Sequence, residues 1–228
     1  MSAEGLRALE ARITACRACP RLVAWREEVG RVKKRAHADE EYWARPVPGF
    51  GDSDPWLFVV GLAPAAHGAN RTGRMFTGDR SGDVLYAALH RAGLASQAES
   101  RARDDGLTLR GCRIAAAVRC APPGNRPTPD ERARCRHFLV RELDLCPRTS
   151  VVLALGAIGW DAVLRTIEPP RPWPRFGHGA EATLPGGRTL LGSYHPSQQN
   201  VFTGRLTPEM LDAVLARARA LRAAPGDD

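Results

Sequence analysis

The chain has 228 residues, 43% of them hydrophobic, enough for one compact domain (1–228) with a sizeable core. A formal charge of +8 favours a polyanionic partner, nucleic acid first. The N-terminal stretch MSAEGLRALEARITACRAC carries acids and no apolar core, which argues against a signal peptide, and no apolar run approaches the ~18 residues that span a bilayer. A cytoplasmic, reducing location without a membrane partner is expected, so the six cysteines argue against a disulfide framework.

In chain order, residues 5–18 read as a helix and 26–50 as a short helix followed by a Pro/Gly-rich arm. Residues 56–60 (WLFVV) read as a buried strand stopping at Gly61, and 83–92 repeat at helical spacing, with Ser81 or Asp79 as cap. A second strand covers 113–118. Pro and Gly then crowd RCAPPGNRPTP into a rigid loop, with Thr128 as N-cap and Pro129 at the first position of a helix over 130–143. Residues 151–155 (VVLAL) form the clearest strand, Gly156 opens a helix to about 166, 189–194 form a fourth strand, and Thr207 caps a last helix over 208–222. The tail 223–228 reads as frayed.

Short apolar strands alternating with helices give an α/β fold. The expected form is a three-layer α/β/α architecture around a mostly parallel four-stranded sheet. Ligands bind such sheets beyond the carboxyl ends of the strands. That rule brings three loops to one rim: GLAPAAHG from Gly61, the loop carrying Cys120, and HPSQQN from His195. Cys16-x2-Cys19 and Cys120-x14-Cys135 make a thiol quartet of metal-site character at that edge. One short knuckle and one wide arm favour an iron–sulfur cluster over zinc. Cys112 and Cys146, in or beside apolar segments, read as buried small hydrophobes. In the loop from Gly61 to Gly82, the glycines allow close backbone approach to a ligand, Arg71 and Arg74 offer charges for phosphates, and Phe76 offers a flat face for a base. No Gly-Lys-Ser/Thr occurs, which excludes a P-loop. His195 at a strand's carboxyl end can donate to developing negative charge. Asp79 and Asp83 are too few carboxylates for a metal-dependent nuclease.

GLAPAAHG, NRTGRMFTG (70–78), CAPPGNR (120–126), HPSQQN (195–200) and the spacing of the four cysteines together resemble the iron–sulfur uracil-DNA glycosylases, most closely the type B, or family 5, branch. The resemblance spans the chain from Cys16 to the last helix. It implies an enzyme that flips a deaminated base out of double- or single-stranded DNA and hydrolyses its N-glycosidic bond, acting as a monomer with a 4Fe–4S cluster on Cys16, Cys19, Cys120 and Cys135. In that comparison His195 donates to a carbonyl oxygen of the leaving base, and Phe76 stacks on it. Gly61, Ala63, Ala65, Ala116 and Ser197 line the substrate site, and Arg71, Arg74, Gln199, Asn200 and Val201 hold DNA. No lysine falls in these motifs, so simple hydrolysis without a Schiff base is expected.

Two departures stand out. Ala63 occupies the place where many relatives carry a carboxylate or Asn that positions water, which makes Asn70 the candidate substitute and Asp79 the next. Ala116 occupies the place of an Asn in relatives strict for uracil, which implies a broader range that includes hypoxanthine and xanthine. The non-enzymatic alternative is a cluster-bearing module that binds damaged DNA.

Overall fold

The structure, a computed structural model, describes residues 2–223. Helices α1 (Ser2–Thr14) and α2 (Pro20–Val32) come first, then a 3-10 turn (Arg35–His37) and an extended arm. The sheet elements and their crossovers follow: β1 (Phe50–Gly51), β2 (Leu57–Gly61), α3 (Ala69–Thr72), α4 (Arg80–Arg91), β3 (Cys112–Ala116), α5 (Pro129–Asp144), β4 (Val151–Leu155), α6 (Gly156–Ile167), β5 (Glu181–Thr183) and β6 (Thr189–Ser193). Helices α7 (Gln198–Phe202) and α8 (Pro208–Ala223) complete the described chain. The tail expected to fray lies, apart from the backbone of Ala223, outside the described residues.

The sheet has six strands in the order β1-β3-β2-β4-β6-β5. The inner four, β3, β2, β4 and β6, are parallel and coincide with the four expected from the sequence. The two additional strands are antiparallel edges. They escaped the sequence because β1 is two residues inside the Pro/Gly-rich arm and β5 is a short polar segment, Glu181-Ala182-Thr183, exposed along most of its length.

Alternation along the buried strands sorts the core into two layers. Leu57 and Val59 face α4 and α8, with Leu85, Tyr86, Leu211 and Leu215. Phe58 and Val60 face α1, α5 and α6, with Leu6, Leu139, Trp160 and Leu164. A strand buried on both sides reads as a continuous apolar run, which is why WLFVV and VVLAL were so clear.

Helix starts follow local chemistry. Thr128 accepts from the Glu131 amide at 3.2 Å while the Glu131 side chain accepts from the Thr128 amide at 2.8 Å, a full capping box with Pro129 at N1. Asp79, not Ser81, caps α4, accepting from Gly82 N at 3.0 Å. The first helix ends at Thr14, not 18, because Pro20 opens a second helix immediately after Cys19.

Beside the cysteine quartet lies an ion triad, extended by Glu10, which accepts from Arg113 Nη2 at 2.8 Å. Glu142 of α5 is fully buried and accepts from Arg113 Nε and Arg119 Nη2, both at 2.6 Å. Burial alone raises its pKa, and the two guanidinium groups overcome that and hold it below the usual carboxylate range.

Candidate active site and cysteine cavity

The rim loops converge as the parallel sheet requires. They enclose a cavity of about 290 Å³ at the carboxyl ends of β2 and β6. Ala63, Pro64, Ala65 and Ala69 form an apolar wall, Met75 and Phe76 a second, and His195 and Ser197 a third. Polar groups reach it from Asp79, Ser81 and Asn125.

Phe76 is held rigidly. Its ring lies over the end of β2, where a Cβ on Gly61 would come within 2.9 Å of Cε2 and Cζ. Phe76 has a φ of +53°, and its carbonyl packs where a Cβ on Gly82 would sit at 1.8 Å. A non-glycine residue in that region stores ~1–3 kcal/mol of strain, a cost that persists where surrounding structure demands one geometry. Gly61 therefore serves the pocket by making room for Phe76; it does not line it.

His195 follows β6. Its ring is 5.8 Å from that of Phe76, tilted by 34°. Among the described residues neither ring nitrogen has a hydrogen-bond partner, and burial alone lowers its pKa to about 4. The imidazole is therefore neutral at pH 7, with one N–H to give. Its backbone is braced: Asn200 Nδ2 donates to His195 O at 2.8 Å, and Tyr194 N donates to His178 Nδ1 at 3.2 Å. His67, on the first rim loop, meets Tyr42 Oη at 3.1 Å and ties that loop to the arm.

Several expected roles move. Asn70 is fully buried, donates Nδ2 to Arg26 O at 3.2 Å, and lies outside the cavity that its neighbour Ala69 lines. Its Oδ1, also buried, has no hydrogen-bond partner among the described residues. Asp79 does line the cavity. Its Oδ1 caps α4, its Oδ2 packs where a Gly68 Cβ would sit at 2.0 Å, and burial raises its pKa.

Arg71 and Arg74 are not free for phosphates. Arg71 is 9% exposed and binds Glu40, His67 O and Gly78 O. Arg74 is 2% exposed and clasps Asp105 bidentately at 2.8 and 2.6 Å. Ala116 is fully buried in the apolar cluster that includes Phe76 and does not line the cavity. Ala63, Ala65, Phe76, His195 and Ser197 all line the cavity. Asn125 was missed as a pocket residue, although the CAPPGNR loop that carries it was already assigned to the rim.

After His195 the chain turns into α7, capped by Ser197 accepting from Asn200 N at 3.3 Å. Gln199 is exposed, Asn200 is committed to the brace and Val201 is half-buried. Phe202, not singled out in the sequence, is 70% exposed.

Cys16, Cys19, Cys120 and Cys135 line one small cavity together with Leu22, Val118 and Phe138. Arg26 Nη1 donates to Cys120 Sγ at 2.9 Å and the Arg119 amide donates to Cys135 Sγ at 3.3 Å. Burial pushes the Cys135 thiol up to about 12 and raises Cys120. Three buried guanidinium nitrogens on the same wall, Arg26 Nε and Arg119 Nε and Nη1, have no partner. Donor N–H groups around four thiols fit an anionic, acceptor-rich group. Among the described residues, no three His, Cys, Asp or Glu side chains converge closely enough to hold a single metal ion. Cys112 and Cys146 are fully buried in the core, as expected.

The profile of the uracil DNA glycosylase superfamily matches residues 48–219. A type-5 uracil-DNA glycosylase of Mycobacterium bovis is 59% identical over 215 residues, covering 93% of this chain and 80% of that protein. One from Thermus thermophilus is 56% identical over 210 residues, covering 92% and 94%. A type-4 enzyme of Thermotoga maritima is 30% identical over 152 residues, covering 66% and 69%. With the α/β/α architecture and the rim pocket they accompany, these likenesses establish that the chain belongs to the uracil DNA glycosylase superfamily.

Proposed function

We propose that this protein is a monofunctional DNA repair glycosylase that removes uracil, and also hypoxanthine and xanthine, from DNA by hydrolysis. The observation that carries the reading is the neutral His195 imidazole facing an apolar base-sized cavity across from Phe76. A flipped base enters that cavity and stacks on Phe76. The bond between the sugar carbon and the base nitrogen breaks, and its electron pair leaves with the base. His195 donates a hydrogen bond to the base carbonyl on which that charge gathers. A neutral donor suits this task, since it stabilises the anion without first needing a proton from solution. The Asp79 carboxylate lies where it can hold the water that adds to the cationic sugar carbon, accept its proton, and offset the sugar's charge. Asn125 supplies a further polar contact and is the one side-chain amide among the lining residues. The wall of Ala63, Ala65, Ala69 and Met75 is apolar and makes no directional demand on the base, which supports the broader range.

DNA is held at the rim, with Gln199 and Phe202 of α7 pressing into the gap left by the flipped nucleotide. Exposure of Phe202 supports it over Asn200 and Val201. Cys16, Cys19, Cys120 and Cys135 would hold a 4Fe–4S cluster. Four thiols lining one cavity, with buried donor N–H groups on the same wall, suit an anionic iron–sulfur cluster. When bound, the cluster supplies four cross-links between the helix α1–α2 link, the loop after β3 and α5; no step of base removal runs through it. Six free cysteines suit a reducing cytoplasm.

Incubation with uracil and hypoxanthine duplexes followed by alkali tests the proposal. Strand breaks appearing only after alkali are expected. Breaks without alkali would indicate a lyase or nuclease, and their absence in both conditions would leave a binding module.

A further inference from the structure

We infer that Arg26 is the counter-cation of the cysteine-held group and the donor that sets its electron affinity; this rests on the cluster reading above. Arg26 lies on α2, seven residues after Cys19, and its side chain is 2% exposed. Nη1 donates to Cys120 Sγ at 2.9 Å, and both Nη1 and Nη2 reach Cys16 O at 3.3 Å. One guanidinium thus spans the N-terminal ligand pair and the ligand that follows β3.

Its charge has no adequate partner elsewhere. Among the described residues the only carboxylate in ion-pair reach is Glu27, 3.8 Å away and already bonded to Arg17. Arg119, on the same cavity wall, is different, because buried Glu142 meets its charge. A buried guanidinium without an anion is costly, and so is a buried anion without a cation. Four thiolates leave a cluster net negative, so Arg26 and the cluster resolve each other's cost. Arg26 Nε, buried and unpartnered, is available to the same group.

Donors to ligand sulfurs favour the reduced, more negative state and raise the reduction potential. The Arg26 backbone also fixes Asn70, since its carbonyl accepts from Asn70 Nδ2 at 3.2 Å. That contact satisfies Asn70 Nδ2 and is retained when only the Arg26 side chain is changed.

The test compares the full-length protein with Arg26→Met, which keeps bulk and drops charge, and Arg26→Lys, which keeps charge and loses the fork. Iron and sulfide per chain, the midpoint potential, and the rate of visible-absorbance loss under chelator are read on each. Circular dichroism checks folding. Wild type should carry iron and sulfide. Arg26→Met should show a more negative midpoint and cluster retention weaker by about 10-fold or more; Arg26→Lys should move the same way by less. Wild-type midpoint and loss rate in whichever variants fold would overturn the role of Arg26. A wild-type protein without iron and sulfide would instead overturn the cluster reading.

Discussion

His195 has two features that pull its chemistry in one direction: burial with no compensating charge, and ring nitrogens left free toward the cavity. Its pKa of about 4 lies below the unfolded value of ~6.5, so the unfolded chain binds the extra proton between those values. His195 therefore contributes stability that is fully present above pH ~6.5 and is lost as pH falls toward about 4. The excision rate should show no inflection near pH 6.5, and nitrogen NMR should find the ring neutral at pH 5.5; an imidazolium at that pH contradicts a neutral donor. Asp79 and Asn70 separate cleanly. Asp79→Ala should slow single-turnover excision with DNA affinity kept, while Asn70→Ala should leave the chemical step close to wild type. A large loss of that step in Asn70→Ala would restore it as a catalyst. The sequence offers both, Asn70 first, because position in a loop does not reveal facing. The four-residue helix α3 turns Ala69 into the cavity and Asn70 toward α2, a rotation of about 100° for one residue.

At the scale of elements, the strands were legible and the loops were not, for a physical reason. A doubly buried parallel strand leaves an unbroken apolar run, whereas Arg71 and Arg74 looked like phosphate contacts because their partners, Glu40 and Asp105, lie about thirty residues away in sequence. The same holds for α7: five residues fold as a helix, so the residue facing out is Phe202 and not the nearer Val201. Phe202→Ala should weaken binding to uracil DNA and the yield of flipped base, read by fluorescence of a base analogue opposite the lesion; unchanged flipping would remove Phe202 from that role. Gly61→Ala should cost excision by driving a methyl into the Phe76 ring, whereas the fold of β2 is retained. The Glu142 triad makes the opposite kind of prediction. Glu142→Ala leaves buried Arg119 without a carboxylate and Arg113 with Glu10 alone, and denaturant unfolding should report a loss of about 3–5 kcal/mol. A loss under 1 kcal/mol would mean that water or movement rescues them.

For the molecule as a whole, the sequence set the architecture through four strands and their crossovers, and it set the rim through the carboxyl-end rule. What it left out follows from long-range pairing: the two edge strands, the burial of the glycine-loop arginines, and the contribution of Asn125. The cationic excess of +8 implies DNA binding that weakens linearly in log affinity against log salt. With Arg71 and Arg74 internally paired, their substitution should not alter that slope beyond effects of lost stability. At the centre of the chemistry a flipped base leaves against neutral His195. Single-turnover excision from a uracil duplex, for wild type and His195→Ala at matched DNA binding, tests it most directly. The rate should fall by about 10²–10³-fold with affinity nearly unchanged. A His195→Ala rate equal to wild type would contradict it.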